Sequence, residues 1–390
     1  MRATIVGAGI AGLTAALALA RHGIDVEVFE RAQVLKEAGA GLQLSPNATH
    51  ALASLGLLPG LQKIGFEPQS AEVYRASDGV LLLANPLGAT ARARWGAPYL
   101  QVHRSDLQAL LLAALKEYRR VSIHLGEEVA GALSDHKSAY VQMKSGRLVA
   151  SDFALGCDGV RSVVREALFG KESLQFTGQV AWRGVVATDD LPRGLIPPKA
   201  VVWTGPERHF VHYYVSGGRA VNFVGVVEQD WHHEGWTTPG DPDQLQQEFS
   251  DWPDEVRHLC AAVRQPFRWA LYGRPKMTQW TKGRISLLGD ACHPMLPFLA
   301  QGAAMAIEDA VVLANRLKVL EDPTLALKAY FSARIERTAK VQAWSRRNAR
   351  LFHLPGPAAG LAFSAARIAD RMTGSDPLDR MEWLYGYEAL

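Results

Sequence analysis

Residues 2–30 read RATIVGAGIAGLTAALALARHGIDVEVFE, and this stretch decides the fold. It opens with a short strand rich in β-branched residues, which runs directly into a glycine-rich turn over 7–12. Apolar residues then recur at helical spacing until a second strand begins at Asp25 and ends at Glu30. Strand, helix and strand form one β–α–β unit, which predicts a dinucleotide-binding domain of the α/β class.

The three glycines of the turn have different expected tasks. Gly7 allows the tight turn, Gly9 lets a pyrophosphate approach the backbone, and Gly12 brings the helix close to the sheet. The helix N-terminus offers N–H groups and a positive dipole end to the phosphates, and Glu30 is placed to bind ribose hydroxyls. NAD and FAD both satisfy this motif. The predicted cofactor contacts of the unit are Gly7, Gly9, Ile10, Ala11, Gly12, Glu30 and Arg31.

A second cofactor signal lies far downstream, where a strand-like run over 284–288 leads into Gly289 and Asp290. After a short loop, Gln301 precedes a helix that opens with the small residues of 302–304. A carboxylate at a strand end can bind the hydroxyls of a polyol chain, and the helix dipole stabilises negative charge near N1 and O2 of a reduced flavin. An NAD site needs neither feature, so the sequence predicts FAD.

A third signal lies between these two, where a strand over 152–155 leads into the turn Asp158–Gly159. The three motifs in this order, across nearly the full chain, resemble the class A flavoprotein monooxygenases, the single-component aromatic hydroxylases. The chain is most similar to the branch of salicylate hydroxylase, 3-hydroxybenzoate 6-hydroxylase and 6-hydroxynicotinate 3-monooxygenase. Cys157 stands where the family usually carries alanine. The supporting stretches are 45–47, 103–107, 293–310 and 383–387.

The resemblance implies an enzyme that uses FAD, NADH or NADPH as electron donor and O2 as co-substrate. Through a flavin C4a-hydroperoxide it would hydroxylate a small phenolic or hydroxy-heteroaromatic carboxylic acid. It also implies that Arg104 contacts the ribityl–pyrophosphate region, although a surface cation that caps a helix is the alternative, and that Asp158 supports FAD and nicotinamide handling. A flavin oxidase or reductase acting on a non-aromatic substrate and a non-catalytic redox sensor stay open. The further predicted cofactor contacts are Val129, Asp290, Pro297, Gly302, Ala303 and Ala304.

The first and the last motif must touch one FAD, so the Rossmann-like FAD-binding domain has to be discontinuous. Strand-like runs between 181 and 227, two of them joined by a turn over 216–219, predict an interleaved antiparallel-sheet substrate domain. Helices are expected at the C-terminal end. The predicted divisions are 1–71, 100–180 and 276–322 for the FAD-binding domain, 72–99 and 181–275 for the substrate domain, and 323–390 for the C-terminal helical segment.

Three residues are the catalytic candidates. His212 is expected on a strand that faces the pocket, where a neutral imidazole would take a phenol proton, although a structural histidine is the alternative. Tyr214 shares its face by the two-residue period of a strand. Gln301 would bind a substrate hydroxyl or simply cap its helix. The substrate-contact candidates are Arg183 for a carboxylate, unless an acid of its own domain pairs with it, Tyr213, unless it fills the core, and Pro297.

Composition limits the remaining possibilities. The 390 residues carry 42 Lys and Arg against 39 Asp and Glu, a net charge of +3, which argues against nucleic acid as the main partner. The basic side chains of 323–350 are therefore expected on a solvated helix face. Three scattered cysteines predict no disulfide framework and no metal site, and with no apolar run long enough to span a membrane they predict a cytoplasmic protein. The expected partner is a small aromatic acid, and the expected state is a monomer or a homodimer.

Overall fold

The computed structural model describes residues 1–35, 40–233, 237–355, 358, 360–363 and 376–389. Its strands and helices are interspersed along the chain. The strands are β1 Arg2–Val6, β2 Asp25–Glu30, β3 Gly41–Leu44, β4 Ser70–Arg75, β5 Leu81–Pro86, β6 Leu100–His103, β7 Val121–Leu125, β8 Val129–Ser134, β9 Ala139–Met143, β10 Leu148–Ser151, β11 Phe153–Gly156, β12 Gln175–Ala187, β13 Ala200–Gly205, β14 Arg208–Val215, β15 Ala220–Glu228, β16 Thr237–Pro239, β17 Phe267–Gly273, β18 Thr281–Lys282 and β19 Ile285–Leu287. The helices are α1 Ile10–Arg21, α2 Pro46–Ser54, α3 Leu58–Ile64, α4 Ala89–Trp95, α5 Arg104–Leu115, α6 Val163–Phe169, α7 Pro242–Glu248, α8 Asp254–Ala262, α9 Gly302–Val319, α10 Pro323–Phe352 and α11 Glu382–Tyr385.

A six-stranded sheet carries the dinucleotide-binding motif. Its order is β18-β19-β11-β1-β2-β7, and every pair is parallel except β18 with β19. β1 and β11 are buried along almost their whole length, as strands covered on both faces must be. Helices α1, α5 and α9 pack together beside this sheet. The predicted Rossmann-like domain is confirmed.

The second large sheet has eight strands in the order β16-β17-β12-β15-β14-β13-β4-β5. It is antiparallel except where β4 runs parallel to β13. Its strands alternate between two faces, and one face packs on α7 and α8 through a core that includes Trp182, Phe210 and Phe249. The other face looks toward the FAD-binding domain and α10, so it is available to form the wall of a site.

The chain passes between the two large sheets more than once, as predicted. β4 and β5 belong to the eight-stranded sheet, although they precede most of the six-stranded sheet in sequence. β12 runs across the predicted boundary between 180 and 181, because a single strand of 13 residues starts at Gln175. The finer domain divisions stay predictions.

The C-terminal helices are confirmed, but one expectation about them is wrong. α10 packs along α9, and Arg334 and Arg337 point into that interface rather than into solvent. The predicted solvated face therefore excludes these two residues. None of the described helices combines the length and the apolarity needed to cross a membrane. Within the predicted helical segment, residues 356–357, 359, 364–375 and 390 lie outside the described part of the chain.

Candidate functional site

A cavity of about 1100 Å³ lies between the two large sheets. Its charged lining is strongly biased, because six arginines face two aspartates, Asp158 and Asp290, among the described residues. An anionic ligand is favoured in such a cavity. The arginines are Arg31, Arg104, Arg161, Arg183, Arg347 and Arg380.

The glycine turn forms one end of the cavity, and its three glycines differ as predicted. Gly7 has a φ of +100°, and a Cβ there would lie 2.6 Å from the carbonyl oxygen of Cys157. A Cβ at Gly12 would lie 1.9 Å from the carbonyl oxygen of Gly7. Gly9 lines the cavity, and a Cβ on it would meet no atom within 4 Å. The open space therefore lies at the glycine expected to face a pyrophosphate.

Glu30 ties the end of β2 to this turn. Its carboxylate oxygens accept hydrogen bonds from the backbone N–H groups of Ala8 and Ala32, each at 2.9 Å. Each carboxylate oxygen has a second lone pair, so acceptor capacity for ribose hydroxyls remains. The neighbouring Arg31 lines the cavity, as do Ile10 and Ala11 of the α1 N-terminus.

The two aspartates of the cavity sit at the carboxyl ends of adjacent strands, β11 and β19. Asp158 accepts hydrogen bonds from the backbone of Val163 and Val164 with one oxygen, at 2.7 and 3.2 Å. Its other oxygen, Oδ1, is buried without a hydrogen-bond partner among the described residues. Burial raises the pKa of Asp158, although the hydrogen bonds oppose it. Burial likewise raises the pKa of Asp290, against the attraction of His293 and Arg104.

The N-terminus of α9 faces the same cavity. Gly302 and Ala303 line it, together with Pro297 of the preceding turn. Ala300, in the left-handed region at φ 53°, turns the chain into the helix. The first N–H groups of a helix have no partner within the helix, so this end can stabilise negative charge. Ala304 lies in the hydrophobic core instead and does not line the cavity.

Arg104 begins α5 and lines the cavity, and its contact with FAD stays a prediction. Val129 does not line the cavity; its side chain is buried in the core at the start of β8. With open space at Gly9, an unused oxygen on Asp158 and two helix N-termini at one cavity, the residues fit a flavin dinucleotide. The residues that would hold it are Gly9, Ile10, Ala11, Arg31, Arg104, Asp158, Asp290, Gly302 and Ala303.

Gln301 has neither of its two predicted tasks. Its side chain makes no capping hydrogen bond to α9 and does not line the cavity. Instead its amide donates to Ser45 Oγ at 2.8 Å and accepts from Asn47 Nδ2 at 3.1 Å. Because both polar ends of this buried amide are engaged, Gln301 positions the loop before α9 against the start of α2.

A buried ionic network continues from Asn47 beneath α9. Asn47 Nδ2 donates to Glu308 at 2.6 Å, and Glu308 pairs with Arg334 at 2.6 Å and with Arg337 at 2.7 Å. Arg334 also pairs with Asp309 at 2.8 Å. Arg337 in turn donates to the carbonyl groups of 383 and 384, so the network holds the C-terminal segment whose Tyr385 and Met381 close the cavity.

Asp309 fastens the turn that carries Asp290. One of its oxygens accepts from the backbone N–H of Gly289 at 3.0 Å and lies 2.5 Å from His293 Nε2. Burial by itself would raise the pKa of Asp309, but His293 and Arg334 outweigh it and lower the pKa to about 2. The carboxylate is therefore a fixed negative charge that holds the turn.

One group of potential metal ligands occurs among the described residues. Cys292, His293 and Asp309 bring three ligand atoms within 4.8 Å of one another. Asp309 is already engaged by His293 and by Arg334, whose positive charge repels a cation. The three cysteines are free and buried.

The prediction that His212 and Tyr214 of β14 face the cavity is wrong. His212 and Tyr214 share one face, as expected, but that face packs away from the cavity. His212 Nε2 lies 2.9 Å from Glu255 of α8, and Tyr214 donates to the carbonyl oxygen of Ile196 at 2.8 Å. The prediction that His212 and Tyr214 share one face of β14 was correct. The prediction that this face borders the pocket was wrong, because α7 and α8 cover that side of the sheet.

The opposite face of β14 presents His209, Val211 and Tyr213 to the cavity. His209 is not among the site residues predicted from the sequence, and the strand alternation places its ring on the face opposite that of His212. It is 1% exposed, and its ring contacts Phe298 and Phe352 at centroid distances of 5.1 and 5.3 Å. One sequence signal could have identified His209: it lies an even number of residues before Tyr213, so the two side chains share one face of the strand.

We call the cavity-facing residues of the eight-stranded sheet the sheet wall. Most are apolar, which excludes water from that half of the cavity. The sheet wall consists of Val73, Leu83, Asn85, Arg183, Val202, His209, Val211, Tyr213, Val224, Val226, Trp269, Ala270, Leu271 and Tyr272.

Arg183 is the only charged member of the sheet wall as defined. Its guanidinium stacks on Trp269, 4.8 Å from the ring centroid, and it has no ion-pair partner among the described residues. Burial lowers the pKa of Arg183 to about 10, Arg104 acts in the same direction and Tyr213 opposes it. The guanidinium is still charged at neutral pH and lacks a counter-ion, so the alternative of an acid partner within its domain is not observed.

Tyr213 borders the same region. It is 4% exposed and lines the cavity, so it is both well packed and part of the site. Its ring packs on Gly41, where a Cβ would lie 2.7 Å from the tyrosine ring. Burial raises the pKa of Tyr213 far above its ordinary value, so its hydroxyl stays protonated and available as a donor.

Comparison with known proteins identifies the family. Residues 1–345 match the FAD binding domain family. The chain is 36% identical to 3-amino-4-hydroxybenzoate 2-monooxygenase PtnB3 of Streptomyces platensis, over 100% of this chain and 96% of that protein. It is also 36% identical to 3-hydroxybenzoate 6-hydroxylase of Polaromonas naphthalenivorans, over 98% of this chain and 95% of that protein.

Among solved structures, the chain is similar to Klebsiella pneumoniae HpxO complexed with FAD and uric acid. The TM-score is 0.83 at 25% sequence identity, covering 98% of this chain and 94% of that one. The cofactor FAD and the class of enzyme predicted from the three motifs are confirmed. The chain therefore belongs to the FAD-binding family of class A flavoprotein monooxygenases, the aromatic hydroxylases that its sequence resembles.

Proposed function

We propose that this protein uses NADH or NADPH and O2 to hydroxylate a small phenolic carboxylic acid whose ring lies against the sheet wall. One observation carries the proposal: Arg183 is the one charged group of a mostly apolar sheet wall, with no carboxylate partner among the described residues. A guanidinium binds a carboxylate in a charge-assisted, bidentate geometry. The apolar neighbours suit the aromatic ring.

The substrates of the relatives agree with this chemistry. The names of the Streptomyces and Polaromonas proteins state that they act on 3-amino-4-hydroxybenzoate and 3-hydroxybenzoate. Both molecules carry a carboxylate and a phenolic hydroxyl on one ring. We propose the same pair of groups for the substrate of this chain, with the carboxylate at Arg183.

The phenolic hydroxyl requires a base, and His209 is the residue of the sheet wall that provides one. Burial, together with the neighbouring His353, holds the pKa of His209 well below its ordinary value, so its imidazole is neutral. A neutral imidazole on the cavity wall can take the phenol proton, which makes the ring a better nucleophile. Tyr213, protonated and on the same face, can donate a hydrogen bond to the bound acid.

The remaining task is the activation of oxygen. When bound, the reduced flavin supplies the electrons that activate O2. The chain contributes the cations Arg31 and Arg104 for the dinucleotide and the α9 N-terminus for negative charge on the ring. Pro297 and Phe298 border the cavity beside the sheet wall and help to exclude water.

The test is a substrate screen on the yellow holoenzyme. We expect 3-hydroxybenzoate, salicylate or 3-amino-4-hydroxybenzoate to accelerate anaerobic flavin reduction by NADH or NADPH, and ¹⁸O from labelled O2 to enter the product. Benzoate and phenol, each lacking one of the two groups, are the matched controls. A protein that none of the phenolic acids stimulates, or whose product takes no oxygen from O2, would contradict the proposal.

The finer predictions on location stay open to experiment. We also infer a cytoplasmic protein, supported by three buried cysteines that are all free. Fractionation of the native host measures this directly, and recovery in an extracytoplasmic fraction would contradict it.

A further inference from the structure

A hydrogen-bonded chain of three ionisable side chains leads away from His209. His209 Nδ1 lies 2.7 Å from Nε2 of His353, the residue that follows the last residue of α10. His353 Nδ1 lies 2.6 Å from Oε1 of Glu228, at the end of β15. The three residues come from separate parts of the chain, and none of the three motifs of the sequence includes them.

The exposed fraction of the side chains increases from His209 through His353 to Glu228. His209 is 1% exposed and lines the cavity, the side chain of His353 is 4% exposed, and that of Glu228 is 45% exposed. The side chains therefore connect the closed interior of the molecule to bulk water. Phe298 and Phe352 pack against the ring of His209, with ring centroids 5.1 and 5.3 Å away.

The carboxylate sets the tautomer of both rings. Glu228 is an acceptor when ionised, so His353 donates to it from Nδ1 and keeps a lone pair on Nε2. His209 then donates from Nδ1 to that lone pair, which leaves the lone pair of His209 on Nε2. Both imidazoles are neutral, because burial lowers the pKa of each, although Glu228 and Glu207 oppose this at His353. His209 thus has the one nitrogen that remains ready to accept a proton.

We propose that His353 and Glu228 are the proton relay by which His209 exchanges the phenol proton with solvent. The inference rests on the proposed function, since it requires a phenolic acid in the cavity. The phenol O–H bond breaks and its proton bonds to His209 Nε2, while the Nδ1 proton of His209 passes to His353 Nε2. The Nδ1 proton of His353 passes to Glu228, which releases it to water.

One proton enters the relay at His209 and one leaves it at Glu228, and no electron is transferred. The reverse sequence returns a proton to a phenolate and restores the starting tautomers. Among the described residues, the ionisable groups that act on the two histidines of the relay are Glu207, in the turn before β14, and Glu228, while the two histidines also act on each other. Gln179 of β12 adds a neutral contact, with Nε2 3.5 Å from His353 Nδ1.

The experiment measures proton release rather than turnover. Oxidised holoenzyme in weak buffer is mixed with 3-hydroxybenzoate or 3-amino-4-hydroxybenzoate in a stopped-flow instrument, with a pH-indicator dye. Flavin absorbance reports ligand binding in the same mixture. We expect Glu228→Gln and His353→Gln to bind the acid but to release the proton about tenfold more slowly or worse. Formate, a small diffusible carboxylate, should restore the rate in Glu228→Gln.

Glu255→Gln is the matched control, because it alters a second histidine–glutamate pair on β14 that does not reach the cavity. It should release the proton at the wild-type rate. Equal rates in wild type, Glu228→Gln and His353→Gln would overturn the relay while leaving the proposed function intact. Wild-type holoenzyme whose flavin spectrum responds to neither acid would overturn the proposed function, and the relay with it.

Discussion

Two histidines three residues apart on β14 have nearly the same local chemistry and opposite surroundings. His209 and His212 are both buried, and each is hydrogen-bonded toward a glutamate. His212 reaches Glu255 directly on the helix-covered side of the sheet, whereas His209 lines the cavity and reaches Glu228 through His353. A buried histidine beside an acid is therefore not in itself a catalytic signature; the space that its free nitrogen faces decides its role.

A third pair shows what a purely structural partnership looks like. His293 and Asp309 are buried together with Arg334, and Asp309 also holds the backbone of Gly289. Here the carboxylate is surrounded on all sides by donors, and the pair lines no cavity. The three histidines thus form a series: His209 lines the cavity, His293 belongs to a structural clamp with Asp309, and His212 packs between the sheet and α8. Substitutions can test each of these positions.

The largest effect is expected at His209. His209→Asn removes the base from the sheet wall, so kcat for a phenolic acid should fall by about 10²- to 10⁴-fold. Steady-state kinetics with product analysis measure this, and flavin absorbance checks that FAD is retained. A kcat within twofold of wild type in a yellow variant would place the base elsewhere.

Loss of the structural clamp, which is Asp309 with His293 and Arg334, should lower the free energy of unfolding more than it lowers kcat. Asp309→Asn leaves His293 and part of Arg334 without a buried counter-ion, which should cost about 3–5 kcal/mol in the free energy of unfolding. Denaturant titration measures this loss. Asp25→Asn, in an exposed pair with Arg120, is the matched control and should change stability little.

The same clamp predicts a pH dependence. The pKa of Asp309 is lowered to about 2 in the folded protein, against about 3.9 in an unfolded chain. Its contribution is therefore complete above about pH 5 and is lost as pH falls through the folded pKa near 2, an effect of about 2.6 kcal/mol. Asp309→Asn should flatten that part of the stability curve, and an unchanged acid limb would contradict the clamp.

A substitution of Arg183 tests whether the cavity face of the sheet binds a carboxylate. Arg183→Met keeps the apolar bulk over Trp269 but removes the charge, at a cost of about 1.5–3 kcal/mol in binding a carboxylate. The KM for a hydroxybenzoate should rise about 10- to 100-fold. Turnover of the corresponding phenol without a carboxylate should be unaffected. An equal loss for both compounds would show that Arg183 acts on the cofactor or the fold instead.

The smallest effect is expected on the far face of β14. Glu255→Gln changes the partner of His212 but keeps its shape, so kcat and KM should stay within about twofold of wild type and stability should fall by about 1 kcal/mol or less. Kinetics and thermal unfolding of the purified holoenzyme measure both. A kcat loss as large as that of His209→Asn would reverse the assignment of the two faces.

Much of the cofactor half could be predicted because its signals are local. Gly7, Gly9 and Gly12 act through their own backbone and the adjacent turn, and the small residues at 302–303 act through the end of their own helix. Such features depend on neighbours in sequence, so spacing alone locates them. Val129 and Ala304 are the exceptions, since their packing in the core depends on elements far along the chain.

The substrate half could not be predicted to the same depth. A strand's alternation separates His209 from His212 but gives no sign as to which face α7 and α8 will cover. Gln301 is hydrogen-bonded to Ser45 and Asn47, more than 250 positions away in sequence. Arg334 forms its ion pairs across the interface between α10 and α9.

The fold class and the cofactor could thus be inferred from residue order alone. The histidine that lines the cavity, the arginine that has no acidic partner among the described residues, and the buried charges that hold the Gly289 turn became known only from the folded chain. The physical reason is that backbone conformation is governed by local sterics and hydrogen bonding. The burial and pairing of a side chain are instead decided by whatever the folded chain brings against it.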